Sequence, residues 1–208
     1  MKNIVVLVSG GGTNLQAIID AVNDGKITNG RISCVISSNE NAYALTRAKE
    51  NNINTAVIKR KDYETLTQYD EALIQLINSK SADLIVLAGF MTIISENVTK
   101  AFENRIINVH PSLIPSFCGQ GFYGLNVHEK ALSRGVKVTG ATVHFVNEVC
   151  DGGPIILQKA VDVHEGDTPE ALQKRVMEQA EWVILPKAVD LFCNDKIKIE
   201  NGITIIKA

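Results

Sequence analysis

The sequence predicts an α/β fold: a Rossmann-like, mostly parallel sheet with helices on both faces, extended by an antiparallel C-terminal hairpin. Three observations lead there. Ile4–Val8 is an unbroken apolar run, the mark of a strand buried on both faces, and it ends in Ser9-Gly10-Gly11-Gly12-Thr13. Strand-length apolar runs then alternate with segments of helical spacing as far as Val109. Beyond that point two longer strands of alternating pattern follow one another across a short turn, as antiparallel partners do.

The elements follow in order. After the glycine loop, Leu15, Ile18, Ile19 and Val22 give Asn14–Val22 a helical stripe. Ile32–Ile36 is a second strand, Ala42–Glu50 a second helix, and Ala56–Ile58 a short third strand. Tyr63–Asn78 reads as a longer helix on its spacing of Leu66, Tyr69, Leu73, Leu76 and Ile77. Leu84–Ala88 is a fourth buried strand. Ser95 is placed to cap a short helix through Phe102, and Arg105–Val109 is the fifth strand. A loop, Pro111–Leu125, leads to a helix from Asn126 to Ser133. The hairpin strands are Lys137–Phe145 and Ile155–Val163. Thr168 caps a last long helix, expected to stop near Pro186 because proline removes a backbone donor. Lys196–Lys207 reads as a small hairpin around Asn201-Gly202. There is no repeat or linker, so residues 1–208 are expected to form one domain.

Bulk properties narrow the class. The chain is 45% apolar and 21% charged, enough for a real core. A net charge of −2 carries no nucleic-acid footprint. No apolar run approaches the roughly 20 residues of a membrane span. The short run after Met1 reads as a core strand rather than a signal peptide. Cys34, Cys118, Cys150 and Cys193 share no CxxC spacing and read as free thiols of a cytoplasmic protein. No histidines, cysteines and carboxylates fall at metal-ligand spacing, so no metal is expected.

The glycine loop has a chemical meaning. Glycines between a strand and a helix let a ligand approach the backbone, and a helix N-terminus offers free N–H groups to an anion. Gly-Lys-Ser/Thr is missing, so this is no Walker loop. Leu15 stands where the dinucleotide fingerprint needs its third glycine. A phosphomonoester suits it better; a tight turn with no ligand is the plain alternative.

The most informative segment is Asn108-Val109-His110-Pro111. Two positions apart in a strand, Asn108 and His110 share one face. Pro111 then turns the chain at the carboxyl end of a central strand, where ligands gather in open α/β sheets. Some 40 residues on, Asp151-Gly152-Gly153-Pro154 could bring a carboxylate to hold the imidazole. Asp151 alone would pass for a turn residue. Amide, imidazole and carboxylate are the parts needed to handle a carbonyl that becomes an oxyanion. His128 and His144 are weaker candidates; His144, within a strand, reads as structural, and His164 as exposed. Ser112 lacks the context of a hydrolase nucleophile.

Together these segments resemble the phosphoribosylglycinamide formyltransferase family, the folate-dependent enzymes of purine synthesis. The resemblance covers nearly the whole chain. It rests on Val8-Ser9-Gly10-Gly11-Gly12-Thr13-Asn14-Leu15-Gln16, Leu87-Ala88-Gly89-Phe90-Met91, Asn108–Pro115, Thr142-Val143-His144-Phe145-Val146 and Asp151–Pro154. It implies formyl transfer from 10-formyltetrahydrofolate, as co-substrate, to the amine of 5-phosphoribosylglycinamide in purine (IMP) synthesis. It implies Asn108, His110 and Asp151 as the catalytic set, with Asp151 favouring the imidazolium form of His110. Gly12, Thr13 and Asn14 would hold the substrate phosphate and Glu181 the ribose. Met91, Thr92, Ile93 and Ile94, with Asn108, Asn147, Glu148, Val149 and Cys150, would wall the folate pocket. Residues 1–100 would form the phosphate-binding half and 101–208 the catalytic and folate-binding half. Partners would be small molecules, with neither nucleic acid nor membrane, and the protein a monomer or homodimer.

The chain departs from the family pattern in places. Thr92 stands where some members have arginine. Leu66 stands at an expected basic contact, for which Lys59, Arg60 or Lys61 could substitute. The loop Phe117–Gly124 is longer than in some relatives. Methionyl-tRNA formyltransferases and formyltetrahydrofolate hydrolases share the Asn-x-His-Pro-Ser chemistry. The first predicts an added RNA-binding domain, the second an added N-terminal regulatory domain. A phosphate-binding module without catalysis is the alternative from a different class.

Overall fold

The computed structural model describes residues 1–207. Seven strands form one sheet in the order β3-β2-β1-β4-β5-β6-β7. They are β1 (Lys2–Val8), β2 (Gly30–Ser37), β3 (Thr55–Val57), β4 (Leu84–Leu87), β5 (Ile106–His110), β6 (Val138–Phe145) and β7 (Ile155–Asp162). The first five run parallel; β6 adds antiparallel to β5, and β7 antiparallel to β6. Strands β8 (Ile197–Glu200) and β9 (Ile203–Ile206) make a separate hairpin. Its turn has Asn201 and Gly202 both at positive φ, the geometry that matches strand twist in a two-residue turn.

Alternation along β1 builds the two layers. Ile4, Val6 and Val8 face one core with Leu15 and Ile18 of α1 (Thr13–Asn23), Leu45 of α2 (Tyr43–Glu50), Ala131 of α5 (Leu125–Arg134), Leu172 of α6 (Pro169–Val176) and Leu185 of α7 (Trp182–Cys193). Val5 and Leu7 face the other, with Leu73 and Ile77 of α3 (Leu66–Ser79) and Val98 of α4 (Glu96–Ala101). Each such aliphatic side chain contributes about 1.5–3 kcal/mol by leaving water. A charge at Val6 would therefore break the sheet at its centre.

Two helix boundaries differ from the sequence expectation. α3 starts at Leu66, not Tyr63, because Thr65 caps it. The Thr65 hydroxyl accepts the Gln68 N–H at 3.2 Å, and the Gln68 amide oxygen accepts the Thr65 N–H at 3.2 Å. The last helix does not stop at Pro186. After α6 it widens into a π-helical turn at Met177–Glu181, then continues as α7 through Pro186 to Cys193. Ile184, Leu185, Pro186, Ala188 and Val189 are all buried. That packing outweighs the roughly 3 kcal/mol a helix-interior proline costs.

The strand order reverses between β1 and β4. The crevice beyond the carboxyl ends of these strands is the switch point of the sheet. The loops leaving it are tied together, since the Ser9 hydroxyl accepts the Met91 N–H at 2.8 Å. Among the described residues, no helix is long and apolar enough to cross a membrane.

Candidate active site

The glycine turn is shaped by close packing. Gly12 sits at φ 73°, and a Cβ there would lie 2.6 Å from the Ala44 side chain. Only glycine fits both constraints. No side chain caps α1, so its first-turn N–H groups have no side-chain partner. Arg47 braces the loop from below, donating to the Gly11 carbonyl at 2.8 Å and to Gln16 at 3.0 Å.

Asn14 reaches across to the π turn. Its Nδ2 donates to Glu181 Oε2 at 2.7 Å, while its Oδ1 is buried without a protein partner. Glu181 is only 6% exposed, and burial pushes its carboxyl above the usual range, opposed by the Asn14 hydrogen bond. The structure thus joins the glycine turn to Glu181, 167 residues away. A buried amide oxygen without a partner is a group that a hydroxyl or amine donor could satisfy.

The second cluster lies at the end of β5. Asn108 pairs across the sheet with His144, and His110 with Thr142. The chain after β6 folds back so that Asp151 lies between the two imidazoles. His110 Nδ1 is 3.6 Å from Asp151 Oδ2, and His144 Nε2 is 3.6 Å from Asp151 Oδ1. The loop after β5 closes over the cluster. His110 Nε2 lies 2.8 Å from the Phe117 carbonyl, and the Gly119 N–H donates to Asp151 Oδ2 at 2.9 Å. Thr142 pins the start of this loop by donating to the Ser112 carbonyl at 2.7 Å and accepting the Ile114 N–H at 3.1 Å.

Asp151 favours the imidazolium form of His110 as expected, but burial outweighs it. Burial pushes its pKa below the usual 6.5, and the Asp151 carboxylate and Phe117 carbonyl recover only part of the loss. The imidazole is therefore neutral at rest near pH 7, with Nε2–H donated to Phe117. Burial alone would raise the Asp151 carboxyl. The neighbouring His144 and His110 rings and the Gly119 N–H outweigh it, so Asp151 is held below 3.8 and ionised. His144, read from sequence as structural, is a full member of the cluster. Its signal is the β5–β6 register, which a strand-by-strand reading does not contain.

The Asp151 turn depends on Gly153. A Cβ there would lie 1.9 Å from the Phe145 carbonyl oxygen, so neither backbone can stay in place. Gly153→Ala is expected to destabilise the protein by about 1–3 kcal/mol, the usual range for overpacking, and to displace Asp151. Urea melts with an activity assay check this; a variant with unchanged stability and rate would contradict the packing.

The Met91–Ile94 and Asn147–Cys150 segments are surface loops, with Met91, Ile93 and Val149 exposed. Both rest on one apolar cluster, through Phe90 and Ile94 on one side and Val146 on the other. No hydrogen bond joins the two segments among the described residues. Of the cations near Leu66, Lys59 is paired to Glu40 at 3.0 Å and Arg60 donates to the Tyr63 carbonyl, which leaves Lys61 exposed. Burial and the nearby Asp151 push the Cys118 and Cys150 thiols up, so neither is an activated nucleophile. Among the described residues, no three His, Cys, Asp or Glu side chains are placed to hold a metal ion. A groove of about 630 Å³ between α1 and α7 touches Thr13 and Arg47 but not the Asn108 cluster.

An uncapped helix N-terminus after a glycine turn and an amide–imidazole–carboxylate cluster both lie at the carboxyl ends of the parallel strands, where enzymes of the open α/β class bind their ligands. Comparison with known proteins narrows this. The formyl transferase family model matches residues 2–189, and the chain belongs to that family. It is 41% identical over 206 residues to the phosphoribosylglycinamide formyltransferase of Haemophilus influenzae, covering 99% of this chain and 94% of that protein. It is 42% identical over 200 residues to the human trifunctional purine biosynthetic protein adenosine-3, covering 96% of this chain but only 19% of that protein. Its fold matches the crystal structure of glycinamide ribonucleotide transformylase 1 from Symbiobacterium toebii with a TM-score of 0.94 at 43% identity, covering 100% of this chain and 95% of that one.

Proposed function

We propose that this chain is a phosphoribosylglycinamide formyltransferase. It moves the formyl group of 10-formyltetrahydrofolate to the primary amine of 5-phosphoribosylglycinamide, giving formyl-phosphoribosylglycinamide and tetrahydrofolate, a step of purine (IMP) synthesis. Family membership and near full-length similarity to enzymes of that name support the reaction. The observation that carries it is the Asn108–His110–Asp151 cluster at the same end of the sheet as a glycine turn suited to a phosphate.

Amine attack on the formyl carbon creates a tetrahedral intermediate with a negative oxygen. Asn108 Nδ2–H and His110 Nε2–H are the donors for it. The Phe117 carbonyl marks where an acceptor oxygen binds this imidazole, and an incoming formyl oxygen takes that place. Asp151 and the oxyanion together then draw a proton onto His110, which carries it from the attacking nitrogen toward N10 of the departing folate. Gly12, Thr13 and Asn14 hold the phosphate through α1 N–H groups. Glu181 and the free Asn14 Oδ1 accept the ribose hydroxyls. Met91–Ile94 and Asn147–Cys150 wall the folate site, and Lys61 is the cation left for its acidic tail. Residues 1–100 supply the phosphate-binding half of one domain and 101–208 the catalytic and folate-binding half. The setting is cytoplasmic, the partners are these small molecules, no metal takes part, and the protein acts as a monomer or homodimer.

The test is spectrophotometric release of tetrahydrofolate from the formyl donor, with and without phosphoribosylglycinamide. Release that requires the amine supports transfer. Equal release without it would mean hydrolysis and overturn the reading. Glu181→Gln keeps the packing but removes the charge. It is expected to raise KM for phosphoribosylglycinamide about tenfold or more with a near-normal kcat, since a hydrogen bond to a charged group contributes about 1.5–3 kcal/mol. An unchanged KM would remove Glu181 from the ribose site.

A further inference from the structure

We propose that His144 is a positioning residue of the reaction: with a proton on Nδ1 and Nε2 as an acceptor, it orients the Asn108 amide so that one N–H is kept for the oxyanion. This rests on the formyl-transfer reading for its consequence, but its geometry stands apart from it.

His144 is 1% exposed, and Nδ1 lies 2.7 Å from the backbone carbonyl of Phe145. A carbonyl oxygen only accepts, so Nδ1 carries a hydrogen in every state of the ring. Nε2 is then the one atom with a choice. It faces Asn108 Nδ2 at 3.3 Å and Asp151 Oδ1 at 3.6 Å. The longer approach lies outside hydrogen-bonding range, the shorter near its limit. With a lone pair at Nε2, the ring accepts one Asn108 N–H. The second N–H of the same amide then stays free, on the face shared with His110. A proton on Nε2 would reverse this: the amide would turn its oxygen toward the ring, one lone pair would accept the ring N–H, and the other would face a developing negative oxygen.

The register supports the pairing. Asn108 and His144 are directly opposed across β5 and β6, so neither can drift along its strand without breaking the ladder. The same arrangement decides which imidazole takes the proton during the reaction. Asp151 lies between two rings, each with one nitrogen fixed as a donor to a main-chain carbonyl, Phe117 for His110 and Phe145 for His144. Asn108 occupies Nε2 of His144, which leaves Nδ1 of His110 as the site that gains a proton beside Asp151.

Two measurements test this. The first is ¹⁵N spectroscopy of the histidine rings in the unmodified protein near pH 7.5. His144 as the Nδ1–H tautomer supports the proposal; the Nε2–H tautomer or an imidazolium overturns it. The second is a double-mutant cycle. His144→Phe removes the acceptor at Nε2, whereas His144→Gln places an amide oxygen close to it. His144→Phe is expected to lower kcat about tenfold or more, within the roughly 100-fold that one oxyanion donor supplies, with KM for phosphoribosylglycinamide unchanged. His144→Gln should recover much of the loss. In an Asn108→Ala background, His144→Phe should cost little more. Equal costs in both backgrounds, or no rescue by glutamine, would show a purely structural His144. Absence of transfer by the unmodified protein would instead count against the formyl-transfer reading and leave the tautomer result standing.

Discussion

His110→Ala and Asp151→Asn are both expected to fold and both to lose nearly all formyl transfer. His110→Ala removes one of the two donors to the oxyanion, a loss on the order of 100-fold in kcat, and it also removes the proton carrier. Asp151→Asn keeps an oxygen for the Gly119 N–H but deletes the negative charge between the two rings. Burial already holds His110 below 6.5, and Asp151 is the largest influence pulling it back. Without the carboxylate, the His110 pKa should fall further. Ring titration by NMR checks the sign: a midpoint below 6.5 in the unmodified protein and a lower one in Asp151→Asn. A midpoint that rises in the variant would mean that Asp151 does not act on His110 as its position indicates. Circular dichroism and melting curves separate lost chemistry from lost fold. A folded His110→Ala protein with full activity would end the assignment.

What could be seen in the sequence follows physical lines. β1 and β4 were legible because both faces are buried, which gives unbroken apolar runs. The pairing of Asn108 with His110 was legible because strand periodicity is local and Pro111 marks the strand end. Other features depend on pairings that no local pattern encodes. His144 joins the site through antiparallel register with Asn108, and Glu181 through a contact with Asn14 across nearly the whole chain. The role of Asp151 came from the family resemblance, since Asp-Gly by itself reads as a turn. The Thr65–Gln68 capping box was present in the sequence and would have placed the start of α3 correctly. Pro186 misled because core packing overrode a local breaker. Asp151 does favour the imidazolium as expected, but the sequence does not show the burial that outweighs it and leaves His110 below its usual value.

His128 should be the chief source of acid sensitivity in this fold. It lies on α5, 1% exposed, and neither ring nitrogen has a partner. Burial, helped by the nearby His110, pushes its pKa from 6.5 down to about 4. The sign follows from linkage. The unfolded chain binds a proton at this residue below 6.5, whereas the folded protein resists it until about 4. Stability is therefore complete above 6.5 and falls as pH drops toward 4, by about 3 kcal/mol at roughly 1.4 kcal/mol per pKa unit. His110 leans the same way, so His128 supplies a share of the loss rather than all of it. Asp167, held at about 2 by Arg175, loses its contribution only in more acidic solution, outside this window. His128→Leu replaces two unpartnered nitrogens with an apolar group of similar size, a change that is nearly neutral or stabilising when a polar group is removed without leaving an orphan. Urea melts at pH 7.5 should place the variant close to the unmodified protein. At pH 4.5 the variant should be the more stable by about 2–3 kcal/mol. Parallel acid losses in the two proteins would show that His128 does not titrate as buried. A neutral His128 also keeps a second positive charge away from His110, so the burial that weakens the fold in acid leaves the catalytic imidazole free to take up its proton beside Asp151.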